Sequence, residues 1–247
     1  MVARNARTVV GLEIHIQVNS RSKLFCHCKN SPMDLPNTNT CPVCLGHPGT
    51  LPVLNKVVVE KAVDLALALD MNVNHHWQFA RKNYFYPDLP KGYQITMTDY
   101  PVATGGLFKW SRQRRLGQVM LERLHIEEDA GRLIHDEPYC PEGSALVDFN
   151  RAGVPLLELV TQPAELEPEQ VVDLLYTVQA LVQTIGVSQG LLQQGNIRFD
   201  VNVSIAVDGI QATAPVEIKN LNSFRFARKA ISSELTRQLK GVEQDDQ

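Results

Sequence analysis

Apolar and polar residues alternate over residues 9–18, VVGLEIHIQV, placing Leu12, Ile14, Ile16 and Val18 on one face and Glu13, His15 and Gln17 on the other. Period-two alternation marks a half-buried strand, with same-face neighbours about 7 Å apart. The pattern returns at 198–205, RFDVNVSI, where Phe199, Val201, Val203 and Ile205 oppose Arg198, Asp200, Asn202 and Ser204. Shorter strands are expected at 124–129, 145–149, 155–160 and 215–220. Elsewhere the period changes to that of a helix. Asn55 can cap one that runs to Asp70 with Val58, Ala62, Leu65, Ala66 and Leu69 on one face. Pro168 begins a second, whose Val171, Leu174, Leu175, Val178, Leu181, Val182 and Ile185 form a broad apolar face and whose stop is Gly186. Ser223 can cap a third, ended by Gly241 and followed by a polar tail at 242–247. Strands and helices mix without regular β-α-β alternation, which predicts an α+β fold: mainly antiparallel sheet with flanking helices.

The chain has 247 residues, enough for a substantial core. Its 24 Lys and Arg against 27 Asp and Glu, a net charge of -3, exclude a general coater of nucleic acid, so any such contact has to be local. No stretch approaches the roughly 18 apolar residues of a membrane helix, and MVARNARTVV lacks the apolar core of a secretion signal. A cytoplasmic location with no membrane partner is the default expectation. Cys26 and Cys28 form one close pair, Cys41 and Cys44 another, and Cys140 stands alone as a single reduced thiol. Four thiolates from two short turns can close a tetrahedron around zinc; such a site leaves no open position and is structural. A redox pair or simple buried thiols is the alternative.

The polar strand faces offer Glu13, His15, Asp200, Asn202 and Ser204 almost without Lys, and HIEEDAG adds Glu127, Glu128 and Asp129. Oxygen-rich faces suit magnesium bridging to nucleotide phosphates, since clustered like charges are costly without a cation among them. Spacing alone leaves a magnesium-ATP site and a solvated acidic face both open. There is no glycine-rich phosphate loop, so a nucleotide would rely on metal and scattered bases. Arg151, Arg198 and Lys219 are the candidates, each with a surface salt bridge as its alternative. Residues 80–96, ARKNYFYPDLPKGYQIT, interleave Tyr84, Phe85, Tyr86 and Tyr93 with Arg81, Lys82 and Lys91. Such a loop can stack on unpaired nucleotides, although aromatics folded back into the core are favoured on the pattern alone. Nothing resembles a Ser-Lys amidase or Cys-His glutaminase arrangement.

Several longer stretches resemble, in order, the motifs of the B-type subunits of tRNA-dependent amidotransferases and of their archaeal E-type relatives. They are VVGLEIHIQV, FCHC, NTNTCPVCLGHPGTLPVLN, RKNYFYPDLPKGYQI, HIEEDAGRLIHD, VDFNRAGVPLLELV, RFDVNVS and VEIKNLNSFRFARKAI, covering nearly all of residues 8–232. The resemblance implies a glutamine synthetase-like cradle over residues 1–241, with a zinc knuckle at 26–44 inserted. It implies ATP-dependent phosphorylation of the side-chain carboxylate of Glu-tRNA(Gln) or Asp-tRNA(Asn), followed by amidation with ammonia. The ammonia would come from the A-type amidase subunit, in a complex that also holds a small C-type subunit. Carried onto this sequence, Glu13, His15, Glu127, Glu128 and Asp200 are the catalytic candidates, with Glu13, His15, Glu127 and Asp200 as magnesium ligands. Glu158, Arg151, Arg198 and Lys219 would serve the nucleotide, and Lys82, Tyr84, Tyr86, Lys91 and Tyr93 the aminoacyl-tRNA. Two departures stand out. Where the family carries an acidic Met-Glu-Glu-Gly-Ser stretch, this chain has LLQQGN, placing Gln193, Gln194 and Asn196 in the vicinity of Asp200. The helical tRNA-binding domains that follow in the family are absent from this sequence. A zinc-stabilised binding or assembly module without activity is therefore the competing expectation.

Overall fold

The computed structural model describes residues 5–135, 138 and 140–245; the first four residues, Asp136 of the HIEEDAGRLIHD motif and the last two of the expected tail lie outside these. The principal elements in chain order are β1 (Ala6–Gln17), α1 (Lys56–Ala68), β2 (Ala80–Asn83), β3 (Tyr93–Thr96), β4 (Leu107–Arg112), β5 (Arg115–Glu128), β6 (Pro155–Thr161), α2 (Pro168–Thr184), β7 (Ile197–Val207), β8 (Val216–Leu221) and α3 (Phe224–Asp245). Hydrogen bonding runs through Ile210–Gln211, β7, β1, β6, β5, Ala103–Thr104 and Asn72–Val73, each neighbouring pair antiparallel. Outside this path β8 joins β7, and β4 joins β5. The architecture is α+β, as the mixed periodicity predicts.

Alternation decides which way the sheet faces. Leu12, Ile14 and Ile16 of β1 and Phe199, Val201 and Val203 of β7 are buried in one cluster with Leu65 and Ala66 of α1, Val171 and Val178 of α2, and Ala227 of α3. Burial of each such side chain is worth about 2 kcal/mol, so the helices are held to this side of the sheet. The polar residues of the same strands are left on the opposite side.

Helix ends follow local chemistry. Asn55 Oδ1 accepts from the Val57 amide at 3.0 Å at the start of α1. Pro168 occupies the first turn of α2, and the Glu167 amide donates to Gln170 Oε1 at 3.0 Å. Gly241 does not end α3, which continues to Asp245 and takes in most of the expected tail. An exposed glycine costs a helix only about 1 kcal/mol, and Gly241 does not adopt the left-handed conformation that would cap it. The strand expected at 124–129 is the end of the longer β5, which forms a hairpin with β4. Among the described residues, no helix is long and apolar enough to cross a membrane.

Candidate functional site

Strand register assembles one polar row across the sheet. Arg198 on β7 faces His15 on β1, His15 faces Glu158 on β6, and Glu158 faces His125 on β5. Two residues along, Glu13 faces Asp200, and Glu127 follows His125 on the same face of β5. His15 lies at the centre: Nδ1 is 3.3 Å from Glu127 Oε1 and Nε2 is 3.8 Å from Asp200 Oδ2. Burial opposes its protonation, yet the adjacent carboxylates of Asp200 and Glu127 raise its pKa to about 10. Glu158 shows the converse. Burial pushes its carboxyl up, but the 2.7 Å contact with His125 Nε2 and the nearby charge hold it down at about 2. Glu13 is raised by burial and by repulsion from Glu158 and Glu217. The ligand atoms of Glu13, His15 and Asp200 lie within 4.8 Å of one another, as do those of His15, Glu127 and Glu158. This oxygen-rich set fits a hard divalent cation. The imidazole is its least suited member, since His15 already serves as a cation between two carboxylates.

Glu128 does not join the cluster. Its side chain points to the opposite side of β5, where Oε1 accepts from the Ile95 amide at 2.9 Å and from the Lys91 ammonium. Glu127 and Glu128 are therefore separated by strand alternation. Lys91, expected on the substrate side, is buried in this ion pair.

The arginines gather around a neighbouring acid. Arg198 Nη2 donates to Asp129 Oδ2 at 2.7 Å, and Arg151 Nε lies 3.6 Å from the same oxygen. Both line a cavity of about 430 Å³ with Arg132, Gln193, Gln194 and Asn220. The neutral LLQQGN stretch thus borders the arginine cavity, and Asn196 bonds to Gln17. Lys219 is largely exposed and pairs with Glu217 at 3.0 Å, with its charge felt at Asp200 and Glu13. Asp200 Oδ1 accepts from the Asn220 amide at 2.7 Å.

The β2–β3 hairpin presents the aromatic loop. Tyr84, Phe85 and Tyr86 are 36%, 93% and 58% exposed, so these three do not fold back into the core as the pattern alone favours. Tyr93 does pack against the core, with Arg81 5.1 Å and Lys91 5.4 Å from its ring centre. Lys82 lies exposed on β2. Burial, then the charges of Asp88, Glu127, Asp129 and Glu128, raise the Tyr84 phenol.

A separate cluster joins Cys26, Cys28, Cys41 and Cys44, whose sulfurs lie within 4.8 Å of one another. A zinc tetrahedron with bonds of about 2.3 Å needs sulfurs roughly 3.8 Å apart. Cys41 and Cys44 stand at 3.9 Å. A hydrogen bond from Cys26 outweighs burial and lowers the Cys44 thiol to about 4, while burial pushes Cys28 up to about 11. The four residues fit the metal. Cys140 is a free thiol near the carbonyls of Ile134 and Ser144.

The sequence profile of the GatB/GatE catalytic domain matches residues 8–246. The chain belongs to this family. It is 49% identical over 231 residues to the B subunit of the aspartyl/glutamyl-tRNA(Asn/Gln) amidotransferase of Helicobacter pylori, covering 93% of this chain and 48% of that protein. The protein of the same name from Thermus thermophilus is 48% identical, over 93% of this chain and 47% of its own length. That from Anaeromyxobacter dehalogenans is 46% identical, over 96% and 49%. The chain spans about half the length of these relatives.

Within this GatB/GatE domain, one member of the polar site, His125, escapes the sequence-based candidates, and Asp129 is named among the acids of HIEEDAG but given no role. His125 is buried against Glu158, and its Nδ1 lacks a partner among the described residues. Its signal was present: in LHIEE it precedes Glu127 by two and so shares its face. Asp129 anchors both arginines from just beyond the end of β5, where alternation no longer fixes direction.

Proposed function

We propose that this chain supplies the carboxylate-activating site of a tRNA-dependent amidotransferase. The side-chain carboxylate of Glu on tRNA(Gln) or Asp on tRNA(Asn) takes the γ-phosphoryl group of ATP, releasing ADP. Ammonia then attacks the acyl phosphate and expels inorganic phosphate, leaving the amide. One observation supports this reading above the others: the acids around His15 share one sheet face, next to an arginine-lined cavity, in a chain of the GatB/GatE family.

Phosphoryl transfer depends mainly on positioning and charge neutralisation. Glu13, Glu127, Glu158 and Asp200 would hold magnesium, with His15 joining them only by giving up its proton; the ion when bound offsets the charge of the nucleotide phosphates. Asp129 keeps Arg198 and Arg151 beside the cavity, where they can meet anionic oxygens. Lys219 reinforces the positive potential from β8. Tyr84, Tyr86 and Lys82, with Phe85 between them, form an exposed surface on which an unpaired tRNA end can stack. The four cysteines would hold structural zinc. Ammonia would come from the A-type amidase subunit, with the small C-type subunit in the same cytosolic complex.

The test is ATP hydrolysis and amide formation on Glu-tRNA(Gln) and Asp-tRNA(Asn), with ammonium as nitrogen source and the amidase partner present. Glu13→Ala and Asp200→Ala are expected to lower turnover by about 10²–10³-fold without unfolding the chain. Folded protein with neither magnesium-dependent nucleotide binding nor turnover would favour a non-catalytic binding module instead.

A further inference from the structure

Lys23 has no exposed surface and is among the largest of the fully buried side chains. Lysine is rarely buried without a partner, because removing an ammonium from water is costly. The expected partner would be a carboxylate, yet no ion pair to one is found for Lys23 among the described residues. Its Nζ lies 3.7 Å from Cys44 Sγ and 3.3 Å from the Phe149 carbonyl. Glu128, whose Oε2 also lies near Gly153, forms no ion pair with Lys23 and is engaged through Oε1 by Lys91 and the Ile95 amide. The remaining source of negative charge is the cysteine cluster.

We propose that Lys23 is the buried counter-cation of the four-cysteine centre, a positioning residue for the metal and not a ligand. The proposal rests on the zinc reading above. A divalent ion on four thiolates carries a net double negative charge, and an ammonium on the buried side of the cluster cancels half of it. Backbone bonds support the arrangement. The Lys23 amide donates to the Cys28 carbonyl at 3.0 Å, and the Leu24 amide to the Gly153 carbonyl at 2.9 Å. Lys23 thus touches one cysteine pair through its main chain and the other through its ammonium. The Phe149 carbonyl brings in the 149–153 turn, which carries Arg151 toward the carboxylate face.

The test compares the full chain with Lys23→Met, which keeps the apolar stem and removes the charge. Zinc affinity is read by competition with a chromophoric chelator, and the thiolate environment by the sulfur-to-cobalt charge-transfer band after cobalt substitution. Loss of such an outer partner is expected to weaken zinc binding by about 10–100-fold and to shift the band, with Lys23→Arg recovering part of the affinity. Unchanged affinity and an unchanged band in folded Lys23→Met would overturn the proposal while leaving the zinc reading intact. Absence of stoichiometric zinc from the unaltered chain would remove the zinc reading itself. Should Lys23→Met not fold, nitrogen-15 NMR of the unaltered chain decides. A slowly exchanging ammonium that shifts when cadmium replaces zinc supports the assignment, and no such signal refutes it.

Discussion

The carboxylate face and the cysteine knuckle each collect ligand-type side chains, by opposite means. Glu13, His15, Glu158 and Asp200 stand on central strands whose other side is the apolar core, so register alone fixes their spacing. The knuckle spans turns and one isolated bridge, Ser22 to Lys29, beside exposed Met33, Leu35, Leu51 and Val53. Charge is handled differently too. On the sheet, His15, held protonated between Glu127 and Asp200, offsets part of the acids' charge within the protein. In the knuckle, four thiols lie together beside a buried lysine, Lys23, that forms no ion pair with a carboxylate among the described residues. A site built on strands can exist before its ligand, whereas one built on turns needs its ligand as part of its fold.

Metal removal should break the comparison most severely. Zinc binding of this kind is worth on the order of 10 kcal/mol and is coupled to folding. Chelation, or Cys44→Ser, is expected to open residues 26–54 to limited proteolysis while the far-UV signature of the sheet persists. Loss of the sheet as well would show that the two regions are one folding unit. Next in size is Ile14→Ala, which removes a fully buried side chain directly behind His15. It should cost about 3–4 kcal/mol in denaturant unfolding and take the carboxylate face with it.

The contrast also explains what could be read from the sequence. The two long strands and their outward residues were visible because a buried face enforces period two, and α1 and α2 because their apolar stripes and caps are local. The β4–β5 hairpin was not visible. Its turn is Gln113–Arg114, both at positive φ (50° and 64°), where a primed turn would ordinarily show Asn-Gly. Adjacent acids such as Glu127 and Glu128 look alike in a sequence, although a strand sends them apart. The knuckle was legible as cysteine spacing, but Lys23 was not. Nothing local marks a lysine whose partner lies 21 residues away.

A smaller effect is expected from the sheet's support. Asp173 on α2 is buried and bonded to Arg115 Nε at 2.6 Å and Arg112 Nη1 at 3.2 Å. Burial raises its carboxyl, but the two arginines outweigh that and hold it below its ordinary value. Its contribution is therefore complete above the unfolded pKa of about 4 and is lost as pH falls through the lower folded value. Asp173→Asn should cost on the order of 2 kcal/mol at neutral pH and reduce the acid-induced loss seen in pH-dependent urea titrations. The smallest effect belongs to Phe85→Ala. At 93% exposure its stability change should stay within about 0.5 kcal/mol. Affinity for the aminoacyl-tRNA end should fall by about tenfold, as loss of one stacking platform implies. A stability loss without an affinity change would assign Phe85 to the protein's own packing.

The row from Arg198 through His15 and Glu158 to His125 crosses four strands, each contributing one residue. A slip of one residue in any pairing would turn that strand's charges toward the helices and its Leu, Ile or Val toward water. Misregistered chains are then penalised by their own reactive groups, whose burial without partners no apolar contact can offset. The constellation that prepares the fold for chemistry also acts as a proofreader of assembly, discarding the wrong topologies before any substrate is met.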